Sequence, residues 1–347
     1  MTGALVLEDG SVFRGRSVGA EGTAFGEAVF TTSMSGYQEV VTDPSFAEQI
    51  VCFTAPMVGN YGVAPVRSES DRPHARAVLM RSVGGPEWPR WLSARGVVAL
   101  EDVDTRSLVL HLRERGAMRA AAVSGEASID ALVADVRAQP AMEGRGLVRG
   151  VSTGETYALG RGTPRIGVLD YGCKRSIVER LLSRGASVRV YPHDTSAADV
   201  LRDAPDGVVL SNGPGDPAAL GEEAAVVDRL LGRVPLLGIC LGHQLLARAA
   251  GYPTFKLRFG HRGANHPVLE LATNRVLVTA QNHGFAVEGK GPEVTHVSLY
   301  DGTVEGLTLA DARARSVQFH PEASPGPHDA RPLLESFVEE VRLAQAA

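Results

Sequence analysis

The chain has 347 residues, 44% of them hydrophobic and 22% charged, with a formal net charge of −5 at pH 7. This length allows two domains with buried cores, and the mild charge gives no reason to expect nucleic acid or an anionic membrane surface as a partner. No apolar run approaches the roughly 18 residues of a membrane helix, and no secretory signal opens the sequence. We therefore expect a cytoplasmic protein with neither nucleic-acid nor membrane partners.

The amino-terminal part mixes strand and helix signals. The segment "ALVLEDGSVFRG" predicts a β-hairpin that turns at Asp9–Gly10, and "EAVFTTSMSGYQEVVTD" and "QIVCFTAP" supply further β-like runs. The segment "TRSLVLHLRERG" predicts a helix with Thr105 as its N-cap and Gly116 as its stop, and "SIDALVADVRAQ" predicts another helix. We predict an α+β domain over residues 1–145, whose topology the sequence leaves open.

A Gly- and Arg-rich stretch at residues 146–164 lacks a sustained apolar period and predicts a linker. After it, over residues 165–347, short apolar strands alternate with helices, from "RIGVLDYG" and "KRSIVERLLSRG" to "VPLLGIC" and "GHQLLARAAG". This repetition predicts a parallel sheet that is covered on both faces. Sites in such sheets form at the carboxyl ends of strands, where the loops 211–217 and 240–242 lie.

Cys240, in "GICLGHQ", ends a buried-type strand and precedes a helix, an order that resembles a nucleophile elbow. Gly238 and Gly242 would keep this turn uncrowded, and the helix N-terminus would favour a thiolate over a thiol. A lone cysteine here can equally be a small packed residue, so the sequence leaves both interpretations open. Cys52 and Cys173 complete no CxxC pair, so neither a disulfide framework nor a zinc site is indicated.

The segment "SVQFHPEAS" offers a base for the thiol. Its alternation predicts a strand that ends at His320, and on extended backbone His320 and Glu322 point to the same side. The carboxylate can then orient one imidazole nitrogen while the other faces the sulfur. A His-x-Glu pair alone is also typical of a solvated strand end. We expect His243, on the helix after the elbow, to be a structural or pocket residue.

The segment "LSNGPGDP" places two glycines around Pro214 at the end of another strand. Such a loop exposes backbone amides that can bind an oxyanion or a polar substrate, although an ordinary Gly-Pro turn has the same composition. No Gly-Lys-Ser/Thr follows and no GxGxxG motif occurs, so nucleotide binding by this chain is not indicated. Together the three segments predict a thiol-dependent acyl-transfer enzyme, with its substrate left open.

In their order, "SNGPGDP", "GICLGHQ" and "QFHPE" resemble the class I (triad) glutamine amidotransferases. The amino-terminal "GEAVFTTSMSGYQEVVTDPSFAEQIVCFTAPMVGNYG" and the later "QNHGFAV" resemble the small subunit of carbamoyl phosphate synthetase, and the resemblance runs over essentially the full chain. It implies an α/β fold: a flavodoxin-like amidotransferase domain with an open, mostly parallel sheet, preceded by a smaller α+β domain.

The resemblance also implies an activity. Glutamine would be hydrolysed to glutamate and ammonia, and the ammonia would pass to a large subunit that makes carbamoyl phosphate from bicarbonate and ATP for arginine and pyrimidine synthesis. ATP and Mg²⁺ would be used by that subunit, and this chain would need no cofactor and no metal.

Carried onto this sequence, the family pattern makes Cys240 the nucleophile, His320 the base and acid, and Glu322 its orienting partner. The N–H groups of Gly215 and Leu241 would form the oxyanion hole. The implied glutamine pocket comprises Ser45, Gly213, Gly215, Leu241, Gln244, Asn282, Gly284 and Phe285. Gln244 follows Cys240 by about one helical turn, so it can face the same pocket.

Two other hypotheses stay open. A cysteine hydrolase that acts alone on the same fold is disfavoured by the pocket residues and by the amino-terminal domain. A non-catalytic interaction subunit is disfavoured because Cys240, His320 and Glu322 are all present. Glutamine-dependent ammonia release that rises when a large synthetase chain is added would separate the three.

Overall fold

The computed structural model describes residues 1–346, with side chains as far as Ala344, and divides into two compact units. The first unit is Met1–Glu143 with Arg258–Gly263, and the second is Gly144–Leu257 with the rest of the chain. The strands are β1 (Thr2–Leu7), β2 (Val12–Ser17), β3 (Gly22–Thr31), β4 (Gln49–Phe53), β5 (Ala77–Leu79), β6 (Val98–Glu101), β7 (Met118–Ser124), β8 (Tyr157–Leu159), β9 (Arg165–Asp170), β10 (Ser187–Pro192), β11 (Gly207–Leu210), β12 (Leu236–Ile239), β13 (Thr254–Glu270), β14 (Arg275–Val287), β15 (Val294–Ser298), β16 (Val304–Leu309) and β17 (Ala314–Val317). The helices are α1 (Tyr37–Thr42), α2 (Glu87–Ser93), α3 (Thr105–Arg115), α4 (Ile129–Ala138), α5 (Arg175–Ser183), α6 (Ala197–Arg202), α7 (Gly221–Leu230), α8 (Leu241–Ala249) and α9 (Arg331–Ala346).

The first unit contains a closed barrel with the strand order β1-β2-β6-β5-β4-β3-β7, and β7 pairs back with β1. The hairpin predicted at Asp9–Gly10 is confirmed, because β1 and β2 pair antiparallel across it. Gly10 has φ +92°, the left-handed backbone that this turn requires and that glycine adopts without strain.

Two local predictions in the first unit were wrong. Only the first half of the β-like run "EAVFTTSMSGYQEVVTD" is strand, because the run breaks at Gly36 (φ +81°) and continues as α1. Nearly every residue of α1 is buried, so its valines produce a strand-like pattern. The N-cap of α3 is Asp104 rather than Thr105, since the Asp104 side chain accepts a hydrogen bond from Ser107 N.

The second unit is built on five parallel strands in the order β10-β9-β11-β12-β17. This is the flavodoxin-like order of a doubly wound sheet, and it confirms the predicted α/β fold. Antiparallel strands extend both edges, with β8 on one side and β16, β15, β13 and β14 on the other. Strand β8 lies inside the stretch 146–164 that the sequence predicts as a linker, and the domain boundaries themselves stay a prediction.

Helices cover both faces of this parallel sheet, as the sequence predicts. Along β11, Val208 and Leu210 pack into a core with residues of α6, α7 and α8, whereas Val209 packs with residues of α5 and α9. Successive strand residues point to opposite faces, so an all-apolar strand is stable only when both faces are buried.

Strand β17 ends at Val317, three residues before the predicted end at His320. The neighbouring β12 pairs with it only as far as Ile239↔Val317, because the chain after Ile239 turns into α8. The backbone of residues 318–320 leaves β12 and finds partners elsewhere: Gln318 N donates to Glu305 O and His320 N donates to Ala280 O. Among residues 1–346, no helix is both long and apolar enough to cross a membrane.

Candidate active site

Cys240 lies on a strained turn between β12 and α8. Its backbone has φ 53° and ψ −104°, which is uncommon for a residue with a side chain and typical of functional sites. The flanking glycines have no room for a Cβ, which would come within 2.6 Å of Gly242 O at Gly238 and within 2.1 Å of Leu210 O at Gly242. The close packing of these backbones therefore explains why both positions are glycine.

The Cys240 sulfur is buried among polar groups. The residue is 2% exposed, and Sγ donates to the Asn282 carbonyl oxygen at 3.6 Å. Gln318 Nε2 donates to Sγ, also at 3.6 Å. Leu241 is the first residue of α8, so its N–H has no acceptor within the helix and adds to the positive end of the helix dipole beside the sulfur.

His320 and Glu322 form a buried pair in the segment after β17. His320 Nδ1 donates to Glu322 Oε1 at 2.6 Å, and the two side chains are 3% and 0% exposed. The expected contact between them therefore forms, although the strand stops at Val317. In the described part of the chain the other ring nitrogen, Nε2, has no hydrogen-bond partner, and Cys240 is one of the groups that act on the ring electrostatically.

Lys174 is a charged residue of the site that the sequence did not predict. It precedes α5, just beyond the carboxyl end of β9, and its Nζ donates to Glu322 Oε1 at 2.8 Å and to the Ser324 carbonyl. Its side chain is 4% exposed, so the lysine and the carboxylate form a buried ion pair. The only available sequence signal was its position after a parallel strand, where functional side chains gather.

The pKa values of this group follow from its charges. Burial raises the pKa of Glu322, but the charges of Lys174 and His320 outweigh burial and hold it well below the usual 4.5. Burial lowers the pKa of His320, but Glu322 and Cys240 outweigh burial and raise it to about 10. Glu322 is therefore ionised at neutral pH and can hold a protonated imidazole, as an acid–base relay requires.

Strand β14 and helix α8 bring further predicted residues to the same place. Asn282, Gly284 and Phe285 lie on β14, and Gln244 on α8 donates from Nε2 to the Phe285 carbonyl oxygen at 2.8 Å. The same Nε2 also donates to Gln318 Oε1 at 3.0 Å. Cys240, Gln244, Asn282, Phe285 and Gln318 therefore form one connected cluster.

The loop after β11 is held by backbone contacts. A Cβ on Gly213 would meet Tyr171 O at 2.1 Å, and Gly215 combines φ +97° with Arg145 O at 2.5 Å from the position of a Cβ. The next residue, Asp216, donates its N–H to Arg145 O and accepts from Gly144 N at 2.8 Å. Both glycines are therefore required by the fold of the loop, and their contact with a substrate stays a prediction.

Two further predicted residues, His243 and Ser45, lie in different surroundings. His243 is fully buried, bonds to Ser316 Oγ at 2.8 Å, and has a pKa lowered to about 3 by burial, so it is a neutral structural histidine. Ser45 belongs to the first unit, in the short turn Pro44–Phe46, where its N–H donates to Asp43 Oδ1 at 2.9 Å. Its role in glutamine binding stays a prediction.

Comparison with known proteins gives consistent matches to both halves of the chain. The family model "Glutamine amidotransferase class-I" matches residues 167–340, and "Carbamoyl-phosphate synthase small chain, CPSase domain" matches residues 5–122. The chain is 45% identical over 367 residues to the carbamoyl phosphate synthase small chain of Salmonella typhimurium, with 96% of each protein covered. It is 44% identical over 366 residues to the Escherichia coli small chain, again with 96% of each covered. A solved glutamine amidotransferase from Thermotoga maritima aligns with TM-score 0.39 and 17% identity, covering 54% of this chain and 87% of that one.

Proposed function

Because the chain belongs to the carbamoyl phosphate synthase small chain family and carries a class I glutamine amidotransferase domain, we propose that it hydrolyses L-glutamine at Cys240. The products are glutamate and ammonia. The observation that carries this proposal is the buried series Lys174–Glu322–His320 beside the strained Cys240 turn, since it combines a nucleophile, a base and an orienting carboxylate.

In the first half of the proposed reaction, the proton shared by Cys240 and His320 lies on the imidazole when the sulfur attacks the amide carbon of glutamine. The carbonyl oxygen becomes an oxyanion, which the N–H groups of Gly215 and Leu241 would stabilise. The carbon–nitrogen bond then breaks, and His320 protonates the departing nitrogen. Ammonia leaves, and a γ-glutamyl thioester remains on Cys240.

In the second half, water attacks the thioester while His320, neutral after protonating the departing nitrogen, acts as the base. The carbon–sulfur bond breaks, glutamate leaves and the thiol is restored. Glu322 keeps the imidazole ring in one orientation and compensates its positive charge in both halves. Lys174 compensates the charge of Glu322, so the carboxylate stays ionised in a buried place.

The substrate would bind among the residues around the sulfur. Gln244, Asn282 and Phe285 support this part of the proposal, because they already form one hydrogen-bonded cluster with Cys240. The other proposed pocket residues are Ser45, Gly213, Gly215, Leu241 and Gly284.

We further propose that ammonia passes to a large synthetase subunit, which would make carbamoyl phosphate from bicarbonate and ATP in the cytoplasm. The names of the relatives support a large partner, since each is called a small chain. Under this proposal ATP and Mg²⁺ act on the large subunit, this chain has no cofactor of its own, and the product serves arginine and pyrimidine synthesis. A cysteine hydrolase acting alone, or a non-catalytic subunit, is the alternative that the test must exclude.

The test compares wild type with Cys240→Ser in the complex with a large synthetase subunit. We expect the variant to lose glutamine-dependent carbamoyl phosphate synthesis and to keep synthesis from added ammonia. Loss of both activities would contradict the assignment of Cys240 as the nucleophile. Wild-type protein that leaves glutamine untouched with and without the partner would contradict the proposed function itself.

A further inference from the structure

Gln318 is a buried glutamine that directly contacts the Cys240 sulfur. It follows the last residue of β17 and is 0% exposed. Its Nε2 lies 3.6 Å from Cys240 Sγ, and its Oε1 accepts from Gln244 Nε2 at 3.0 Å. The side chain therefore connects the sulfur to a residue of the proposed glutamine pocket.

The orientation of the Gln318 amide is determined by a backbone carbonyl. The Phe285 oxygen can only accept, and it receives Gln244 Nε2 at 2.8 Å and His283 Nδ1 at 2.7 Å. Gln244 must therefore direct its NH₂ group at Phe285, and the same NH₂ group meets Gln318. Gln318 has to present its oxygen to Gln244, which leaves its own NH₂ group facing the sulfur.

The Gln318 N–H group and the Asn282 carbonyl group favour opposite protonation states of the Cys240 sulfur. The Asn282 carbonyl can hold the sulfur only as an S–H donor, and it repels a thiolate. The Gln318 N–H can donate to a thiolate, and hydrogen bonds to an ionised acceptor are about twice as strong as bonds between neutral groups. Gln318 therefore favours the form of Cys240 that attacks a carbonyl.

We propose that Gln318 is a further functional residue of this site: its Nε2–H group holds the Cys240 sulfur in place and stabilises it as the attacking anion. Gln244 fixes the orientation of that group through its contact with Gln318 Oε1. The inference rests on the proposed function, because it takes Cys240 as the nucleophile.

His320 also acts on this sulfur electrostatically, and the test must keep it and the titratable groups near it constant. His320 faces the sulfur from the segment after β17, with Glu322 and Lys174 behind the ring. His243, on α8, is bonded to Ser316. Replacing Gln318 with methionine changes none of these groups, and it keeps the length and approximate volume of the side chain while removing the amide.

The experiment measures alkylation of the full-length chain by iodoacetamide, with modification of Cys240 followed by mass spectrometry of its peptide. In Gln318→Met we expect the second-order rate at neutral pH to fall about tenfold, as the pH–rate profile moves toward alkaline pH by about one unit. An unchanged rate and profile in folded Gln318→Met would overturn the proposal.

Gln38→Met is the matched control. Gln38 is an equally buried glutamine of the first unit, and its amide donates to Ala64 O and Ser68 Oγ and accepts from Ala64 N. We expect this variant to be alkylated at Cys240 at the wild-type rate. A loss equal to that of Gln318→Met would overturn the proposal, because any buried amide would then have the same effect.

A measurement on unmodified Gln318 covers the case in which the methionine variant does not fold. With ¹⁵N only in glutamine side chains, one NH₂ signal of the wild type should move with pH along the alkylation profile, and the movement should vanish in Cys240→Ala. If none of these NH₂ signals changes with the protonation state of Cys240, the proposal is wrong. Alkylation needs no glutamine, so wild type that fails to hydrolyse glutamine would refute the proposed function while Gln318 is still tested.

Discussion

Glu322 is fully buried, and two cations compensate its charge. Lys174 Nζ and His320 Nδ1 both donate to the same oxygen, Oε1, at 2.8 Å and 2.6 Å. An ionised carboxylate without partners at such a place would be strongly unfavourable. The proposed acid–base relay therefore depends on Lys174 as much as on the histidine.

We expect Lys174→Met to destabilise the chain by about 3–5 kcal/mol, because it removes one of the two cations that compensate a buried carboxylate. The glutaminase rate should fall with it, since Lys174 contributes most to keeping Glu322 ionised. Urea denaturation and glutamate release measure the two effects. The exposed Lys290 is the matched control, and a Lys290→Met variant as unstable as Lys174→Met would contradict the account.

The stability supplied by His320 should depend on pH. Its pKa is about 10 in the folded chain against an ordinary 6.5, so its charged form stabilises the fold fully below pH 6.5 and this contribution is lost as pH rises through about 10. The difference in free energy of unfolding between wild type and His320→Gln should therefore shrink from about pH 6 to about pH 10. Denaturation at a series of pH values measures it. A difference that stays constant or grows with pH would show that His320 is not charged in the fold.

At the scale of residues, the sequence predicts the contact of His320 with Glu322 and misses those of Lys174 and Gln318. His320 and Glu322 are two residues apart, and this spacing on extended backbone was enough to pair them. Lys174 is 148 positions from Glu322, and Gln318 is 78 positions from Cys240. Such contacts arise from the order of strands in the sheet, which no local spacing encodes.

At the scale of elements, the strand-to-helix turn at Cys240 is built by close backbone packing. Alanine normally favours a helix over glycine by about 1 kcal/mol. At Gly242, on α8, a Cβ would instead lie 2.1 Å from Leu210 O. The packing of α8 against β11 therefore outweighs the helix propensity.

We expect Gly242→Ala to lower the free energy of unfolding by about 1–3 kcal/mol, the usual cost of overpacking, and to slow glutamine hydrolysis by displacing Cys240. Gly221 begins α7, and a Cβ there would meet nothing within 4 Å. Gly221→Ala should be neutral or stabilising by up to about 1 kcal/mol. Urea titrations of both variants test this, and equal losses would contradict the packing argument.

Strands β9 to β12 and the helices that follow them were predictable, because these strands are short, apolar and separated by amphipathic helices. Where the prediction of an element was wrong, the cause lies in the structure. Helix α1 is buried on nearly all sides, so its periodicity is hidden, and β17 ends early because its partner strand turns away at Cys240. Burial and pairing of this kind depend on tertiary structure rather than on local sequence.

At the scale of the whole molecule, the sequence predicts two domains and a flavodoxin-like, mostly parallel sheet but not the barrel. Closure of the barrel needs β1 to pair with β7, with Gly3 opposite Ser124. Pairing between two strands so far apart in the sequence produces no periodic pattern of apolar residues that could predict it. The family match covers both units, and it supports the proposal of a larger partner subunit.

We expect a large synthetase subunit to increase glutamate release by the wild-type chain and to leave Cys240→Ser inactive. The physical reason is that a partner which binds the active arrangement of this site more tightly than the inactive one shifts the chain toward the active arrangement. Glutamate release with and without the partner measures it. Equal rates in both states would contradict communication between the two subunits.

The most direct test of the account is a search for the covalent intermediate. Wild-type chain mixed with glutamine is quenched in acid within one turnover, digested and analysed by mass spectrometry. We expect a γ-glutamyl thioester on the Cys240 peptide, which accumulates when deacylation is slow and is absent in Cys240→Ser. Glutamate released at the wild-type rate by Cys240→Ser, or an adduct on Cys52 or Cys173 instead, would contradict it.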